Sequence, residues 1–180
     1  MAARAHDDRL LDALSAIEAI GYHRSVWRVV RKGRSPLDGS RGAGRWNPAE
    51  LSVLYCAEEP DGALSEIHFH LSRGQPVFPS RMEHHLYELK ALLARALRFL
   101  NLDQLAALGV EAARFRDLLY GRTQDIGAAA AFLGFDGLVA PSARFNGANV
   151  VIFLDNAGPG SVEDIASELV DWPDWIGRRR

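Results

Sequence analysis

An α+β domain, a central mixed or antiparallel β-sheet flanked by helices, is what this sequence predicts, and three observations predict it. Segments of helical period intermix with β-branched runs along the whole chain, so helices and strands belong to one packing unit. No internal repeat, low-complexity tract or long linker divides the 180 residues, which form a single compact domain that buries roughly two-thirds of the surface its unfolded chain exposes. The composition, 48% hydrophobic and 24% charged with a formal charge of -2, is that of an ordinary globular protein, neither disordered nor collagen-like.

The elements follow in order. Residues 7–20 place Leu10, Leu14 and Ile17 on one helical face, with Asp7 or Asp8 as N-cap and Gly21 as terminator. "SVWRVV" is β-branched and aromatic and predicts a strand in which Val26, Arg28 and Val30 share a face. "GRSPLDGSRGAG" is a loop. "LSVLYCA" predicts a second strand, with Leu51, Val53 and Tyr55 pointing one way. "ALSEIHFHL" has helical spacing. The stretch "HHLYELKALLARALRFLNLDQLAAL" fits either a helix or a strand followed by a helix or turn, and stays open. "TQDIGAAAAFLG" is a helix capped by Thr123 and stopped by Gly134, followed by strands at "FDGLVAPSA" and "NVVIFLD". "SVEDIASELV" predicts a last helix capped by Ser161, so that a core over about 22–155 is followed by a C-terminal helix and tail over 161–180. The two tryptophans of "DWPDWIG" are expected to pack on the domain.

Several function classes fall away. The one dense basic run is Arg178, Arg179 and Arg180, a solvated tail, so direct nucleic-acid binding is not expected. The longest apolar runs fall far short of the ~20 residues that cross a bilayer. The start "MAARAHDDRLL" lacks a signal peptide's apolar core, and the single Cys56 rules out an intramolecular disulfide; a cytoplasmic protein is expected. His68 and His70 diverge on a helix and no ligand framework accompanies them, so no metal is expected.

Four positions stand out chemically. Arg28 lies between valines on a strand, where an unpaired guanidinium costs several kcal/mol, so it needs a core-edge carboxylate, water or an anionic ligand. Arg45 follows Gly42 and Gly44, glycines that let backbone approach a ligand, and precedes Trp46 and Asn47; a planar bidentate donor there suits phosphate or carboxylate. Glu66 borders the apolar arc of its helix, one turn before His70, and either looks into a cleft or pairs with that histidine. Ser142 follows the strand "GLVA", where α/β folds gather ligand groups, although turns and caps use serine equally; no G-x-S-x-G elbow marks a serine hydrolase. Tyr55 and Trp46 are core aromatics by default.

In order, "WR" at 27–28, "GRWN" at 44–47, "VLYCAEEPDGALSEI" at 53–67, "FDGLVAPSAR" from 135 and "NVVIF" up to 153 resemble the RES-domain family. That resemblance implies an ADP-ribosyltransferase-like fold and the toxin of a bacterial type II toxin–antitoxin pair. Such a toxin splits the nicotinamide–ribose bond of NAD+ and passes the ADP-ribosyl group to a protein, water or phosphate. It implies that the family's named arginine, glutamate and serine are Arg28 or Arg45, Glu66 and Ser142. By the resemblance Glu66, Arg28 and Tyr55 are catalytic, and Arg28, Arg45, Tyr55, Ser142, Trp46 and Asn47 bind NAD+, the arginines on the diphosphate and Tyr55 beside the nicotinamide. NAD+ is then a consumed substrate with no tightly bound cofactor, and Gln124 and Asn146 lie in segments that can reach the same pocket. The implied partner is a cognate antitoxin with a DNA-binding helix-turn-helix region that occludes the active site. A non-catalytic nucleotide-binding or protein-interaction module is the alternative reading of the same residues.

Overall fold

The computed structural model describes residues 5–40, 42–74, 77–79 and 81–179. Helix α1 (Asp8–Ser15) is capped by the Asp7 carboxylate, which accepts from Arg9 N, and buries Leu10 and Leu14. It ends sooner than the 7–20 pattern predicts, because Ile20 and Gly21 already belong to strand β1 (Ile20–Arg31). Strand β2 (Val53–Ala57) and helix α2 (Pro60–Ser72) follow the long loop, Pro60 starting the helix where a missing N–H costs nothing. The stretch that fitted two readings is strand β3 (His84–Arg98) followed by helix α3 (Leu102–Ala107). Helix α4 (Gly121–Phe132) is N-capped at Tyr120 with no side-chain cap; Thr123 lies inside it, donating to Tyr120 O, so the expected Thr123 cap is corrected. Gly134, at φ 77°, stops that helix as expected. Strands β4 (Gly137–Pro141) and β5 (Ala148–Phe153) complete the predicted set.

The segment read as a final helix is instead strand β6 (Val162–Leu169), and the last helix is α5 (Trp172–Gly177). Val162, Ile165, Ala166 and Leu169 do have helical spacing, but the N-terminal half of β3 offers a free edge and β6 pairs along it, from His85 opposite Leu169 to Ala91 opposite Val162. Backbone pairing outweighs a weak local preference. Helix α5 is capped by Asp171, which accepts from Asp174 N, with Pro173 in its first turn.

The sheet runs β1-β2-β5-β4-β3-β6, with β3 and β4 parallel and the other pairs antiparallel. β1 also pairs with β3 over most of its length, so five strands curl into a ring. At β2, β4 and β5 both faces of the curl are buried. Val53, Leu138 and Val151 pack outward on α1, α3 and α4, while Leu54, Val139, Val150 and Ile152 fill the inside with Val26 and Leu89. That is why "VVIF" is continuously apolar. The ring has one weak seam: β1 and β2 meet at a single register position, Trp27 opposite Ala57. A third cluster, where Trp172 and Trp175 of α5 pack on Ala63 and Leu64 of α2 beside Val29, closes the sheet on that side. The expected packing of both tryptophans is what the structure has: they are 2% and 5% exposed.

Candidate active site

Where β1 and β2 splay apart, the barrel seam opens into a cavity of about 330 Å³. Its walls include Trp27 and Arg28 of β1, Tyr55 and Cys56 of β2, Glu66 and His70 of α2, Arg45 from the glycine loop, Tyr120 before α4, and Arg144 and Asn149 around β5. Among the described residues three arginines and one carboxylate line it, an excess of two positive charges in a chain whose formal charge is -2.

Glu66 is held from across the cleft. Its Oε1 accepts from Ser142 Oγ at 2.8 Å and from Asn149 Nδ2 at 2.8 Å, which fixes the carboxylate against the ends of β4 and β5. Ser142 Oγ also accepts from Arg144 N and Phe145 N, so one hydroxyl ties the acid to the turn that carries Arg144. With its only proton on Glu66, Ser142 acts on the acid rather than as a free donor to a ligand, and it lies outside the cavity lining.

The two expected arginines share the cavity with Glu66. Arg28 donates from Nη1 to Pro36 O at 3.0 Å and from Nη2 to Asp38 O at 2.8 Å, holding the loop after β1. Arg45 donates from Nη1 to Phe115 O at 2.7 Å and from Nη2 to Asp117 O at 3.2 Å, with its guanidinium 4.7 Å from the ring centroids of both Phe115 and Tyr120. Among the described residues neither has a carboxylate within ion-pair distance; their partners are neutral carbonyls. Burial pulls both guanidinium groups below their ordinary values, the uncompensated state that an anion would relieve.

Tyr55 lines the cleft with its ring while its hydroxyl builds the scaffold behind it. The hydroxyl accepts from Trp46 N and donates to Asn47 Oδ1, both at 2.8 Å. Burial raises its pKa, so it stays protonated. Asn47, 0% exposed, donates to the carbonyls of Gly42, Pro48 and Leu51 and does not line the cavity. Trp46 is buried in the helical core, stacked on Phe99, and only borders the cleft. The glycine before Arg45 has a different reason from the expected one: a Cβ at Gly44 would stand 2.5 Å from the Tyr55 hydroxyl, so it admits that hydroxyl rather than a ligand. Gln124 reaches the same loop from α4, its Nε2 donating to Gly44 O.

Burial pushes the Cys56 thiol up to about 12, which removes it as a nucleophile near neutral pH. The ring of His70 stands one helical turn after Glu66. Partial burial pushes it down first, Glu66 opposing, and the charges of Arg144, Arg73 and Arg45 push it further. Among the described residues, no three His, Cys, Asp or Glu side chains cluster as a metal site, and no helix is long and apolar enough to cross a membrane.

The RES domain family profile matches residues 25–174, from the cleft strand β1 to the first turn of α5. The chain belongs to the RES-domain family. The fold agrees: a chain in the crystal structure of the M. tuberculosis MbcT–MbcA toxin–antitoxin complex superposes with a TM-score of 0.85 at 20% identity, over 97% of this chain and 99% of that one. No curated protein matches the chain by sequence. Within this RES domain the resemblance brings Arg28, Arg45, Tyr55 and Glu66 to one hollow, and Ser142 to the acid's back. Arg144, Asn149 and Tyr120 escaped sequence reasoning. Arg144 and Asn149 sit within quoted motif blocks, where a charged residue and an amide beside buried strand positions were the available signal.

Proposed function

We propose that this RES domain is the toxin of a toxin–antitoxin pair and that it consumes NAD+ by breaking the bond between nicotinamide and ribose C1′. The observation that carries the reading is the Glu66 carboxylate sharing one cavity with arginines that have no carboxylate partner among the described residues. As the C1′–N bond breaks, its electron pair leaves on the nicotinamide nitrogen, and the ribosyl carbon becomes oxocarbenium-like; a fixed carboxylate stabilises that positive charge. The acceptor's oxygen or nitrogen then bonds to C1′ and loses its proton. Ser142 and Asn149 preset the carboxylate, so little reorganisation accompanies the charge. The arginine excess matches the two negative charges of the diphosphate, and about 330 Å³ suits the reacting end of a dinucleotide at the lower end of ligand pockets, which run from about 300 Å³.

Purified protein mixed with NAD+ should release nicotinamide, and the Glu66→Gln protein should not. Binding without release would instead leave the protein as a nucleotide-binding module. Labelled NAD+ in cell lysate separates the acceptors: a discrete labelled band means transfer to a protein, and soluble ADP-ribose or its phosphate means water or phosphate. The antitoxin partner, with a helix-turn-helix region and a segment covering the cleft, and a cytoplasmic place of action belong to the same proposal; a structural neighbour from a toxin–antitoxin complex supports it.

A further inference from the structure

Three arginines line the cleft, yet their hydrogen-bonding states differ. Arg28 has both terminal nitrogens on the carbonyls of Pro36 and Asp38, and Arg45 has both on those of Phe115 and Asp117. Each of those forks stitches a loop to the cleft wall. Among the described residues, the Arg144 guanidinium makes no hydrogen bond and no ion pair. It is held by its face instead, with Cζ 3.5 Å from the centroid of the Phe69 ring. Stacking fixes the plane of a guanidinium and leaves its in-plane N–H donors open.

We infer that Arg144 is the residue that hydrogen-bonds the anionic part of the ligand, while Arg28 and Arg45 hold the walls and supply background charge. The turn places that donor relative to the acid, because Arg144 N donates to Ser142 Oγ at 3.1 Å and the same oxygen donates to Glu66 Oε1. A diphosphate gripped by Arg144 would therefore sit at a set distance from the carboxylate at the sugar. The charge of Arg144 also bears on both Arg45 and His70, adding to the effect of burial in lowering each, so a dianion at this spot relieves repulsion between the two guanidinium groups. The inference rests on the NAD+ reading only for which anion is bound.

Inorganic pyrophosphate tests it without turnover. By titration calorimetry the wild-type protein should bind pyrophosphate, and Arg144→Ala should weaken that binding by about tenfold or more, the size of a lost charge-assisted bidentate contact. Arg144→Lys should restore part of the affinity, and the Arg144→Ala melting temperature should match wild type. Arg45→Ala, which frees the Phe115 and Asp117 carbonyls, should lower the melting temperature. With NAD+, Arg144→Ala should raise KM by a similar factor and leave kcat within about threefold, as expected when a contact present in both ground and transition states is lost. Equal pyrophosphate affinity in wild type and Arg144→Ala, or no pyrophosphate binding by wild type, overturns the assignment. If Arg144→Ala loses pyrophosphate but wild type releases no nicotinamide, the anion donor stands and the NAD+ reading fails.

Discussion

On the side of α2 that meets the C-terminal helix, polar groups close among themselves. Ser65 Oγ donates to Asp61 O and accepts from Arg179 Nη1, Asp61 Oδ1 accepts from Trp175 Nε1, and His68 stacks on Phe78 beside Trp175. On the side that meets the cleft, Glu66 is held through one oxygen, and among the described residues the cations around it have only carbonyls or rings for company. The two faces use similar residues, a serine, acids, histidines and arginines. What separates them is the cavity: on one face the hydrogen bonds close among neighbours in the fold, whereas on the other partly buried guanidinium groups and a carboxylate face an open hollow, an arrangement that suits a ligand.

Substitutions on the two faces should therefore split activity from stability. The largest effect is expected for Glu66→Gln, which keeps the shape and removes the charge: nicotinamide release should fall by about 10²–10⁴ while urea unfolding moves by less than about 1 kcal/mol. A large stability loss with activity intact would reverse the assignment of the two faces. Next comes Trp172→Ala on the closed face. Trp172 fills a buried site and its Nε1 donates to His84 Nδ1, so urea denaturation should show a loss of about 3–5 kcal/mol, with the KM for NAD+ of the protein that stays folded unchanged. Gly127→Ala lies between the two classes. Its Cβ would fall 1.8 Å from Trp46 O, and since both partners are backbone, α4 or the Arg45 loop must move. About 1–3 kcal/mol of destabilisation together with a raised KM would show that the loop moved; unchanged KM would show that α4 did.

The smallest effect is the pH dependence of the closed face. Burial holds His68 and His84 below their ordinary values, with Arg179 and Arg31 adding to it. A histidine that protonates less readily when folded adds stability fully present above its unfolded pKa of about 6.5 and lost as pH falls through the folded value. Melting temperature should therefore decline between about pH 7 and 5. A flat melting profile over that window would mean that these rings protonate as freely folded as unfolded.

Legibility followed burial. Strands β2, β4 and β5 could be read because both of their faces are covered and demand apolar residues at nearly every position, and β1 through the β-branched and aromatic run "SVWRVV" in its more buried half. β6 could not, since all but its first residue are exposed and its pattern is set by surface polarity, not by packing. β3 is rich in leucine and alanine, which suit helices, and becomes a strand because β1, β4 and β6 pair along it. The cap of α5 is written in Asp171, Pro173 and Asp174, but a helix of six residues is too short for its apolar period to show. In the site, Arg28, Arg45 and Glu66 announced themselves as charges in apolar or glycine settings. Asn47 looked equally available and proved to be the knot of its own loop, a role that depends on three carbonyls brought to it by folding.

By itself the sequence determined the α+β class, four of the strands, the family and the short set of polar residues from which a site had to be made. Residue type and local pattern suffice for these, because burial constrains each position separately. Only the tertiary structure decided which of those polar groups are engaged and which are open: that Ser142 serves the acid, that Arg28 and Arg45 hold carbonyls, and that Arg144 holds none among the described residues. A hydrogen bond is a property of two groups at a distance, and the two partners that hold Glu66 lie 76 and 83 positions from it in the chain.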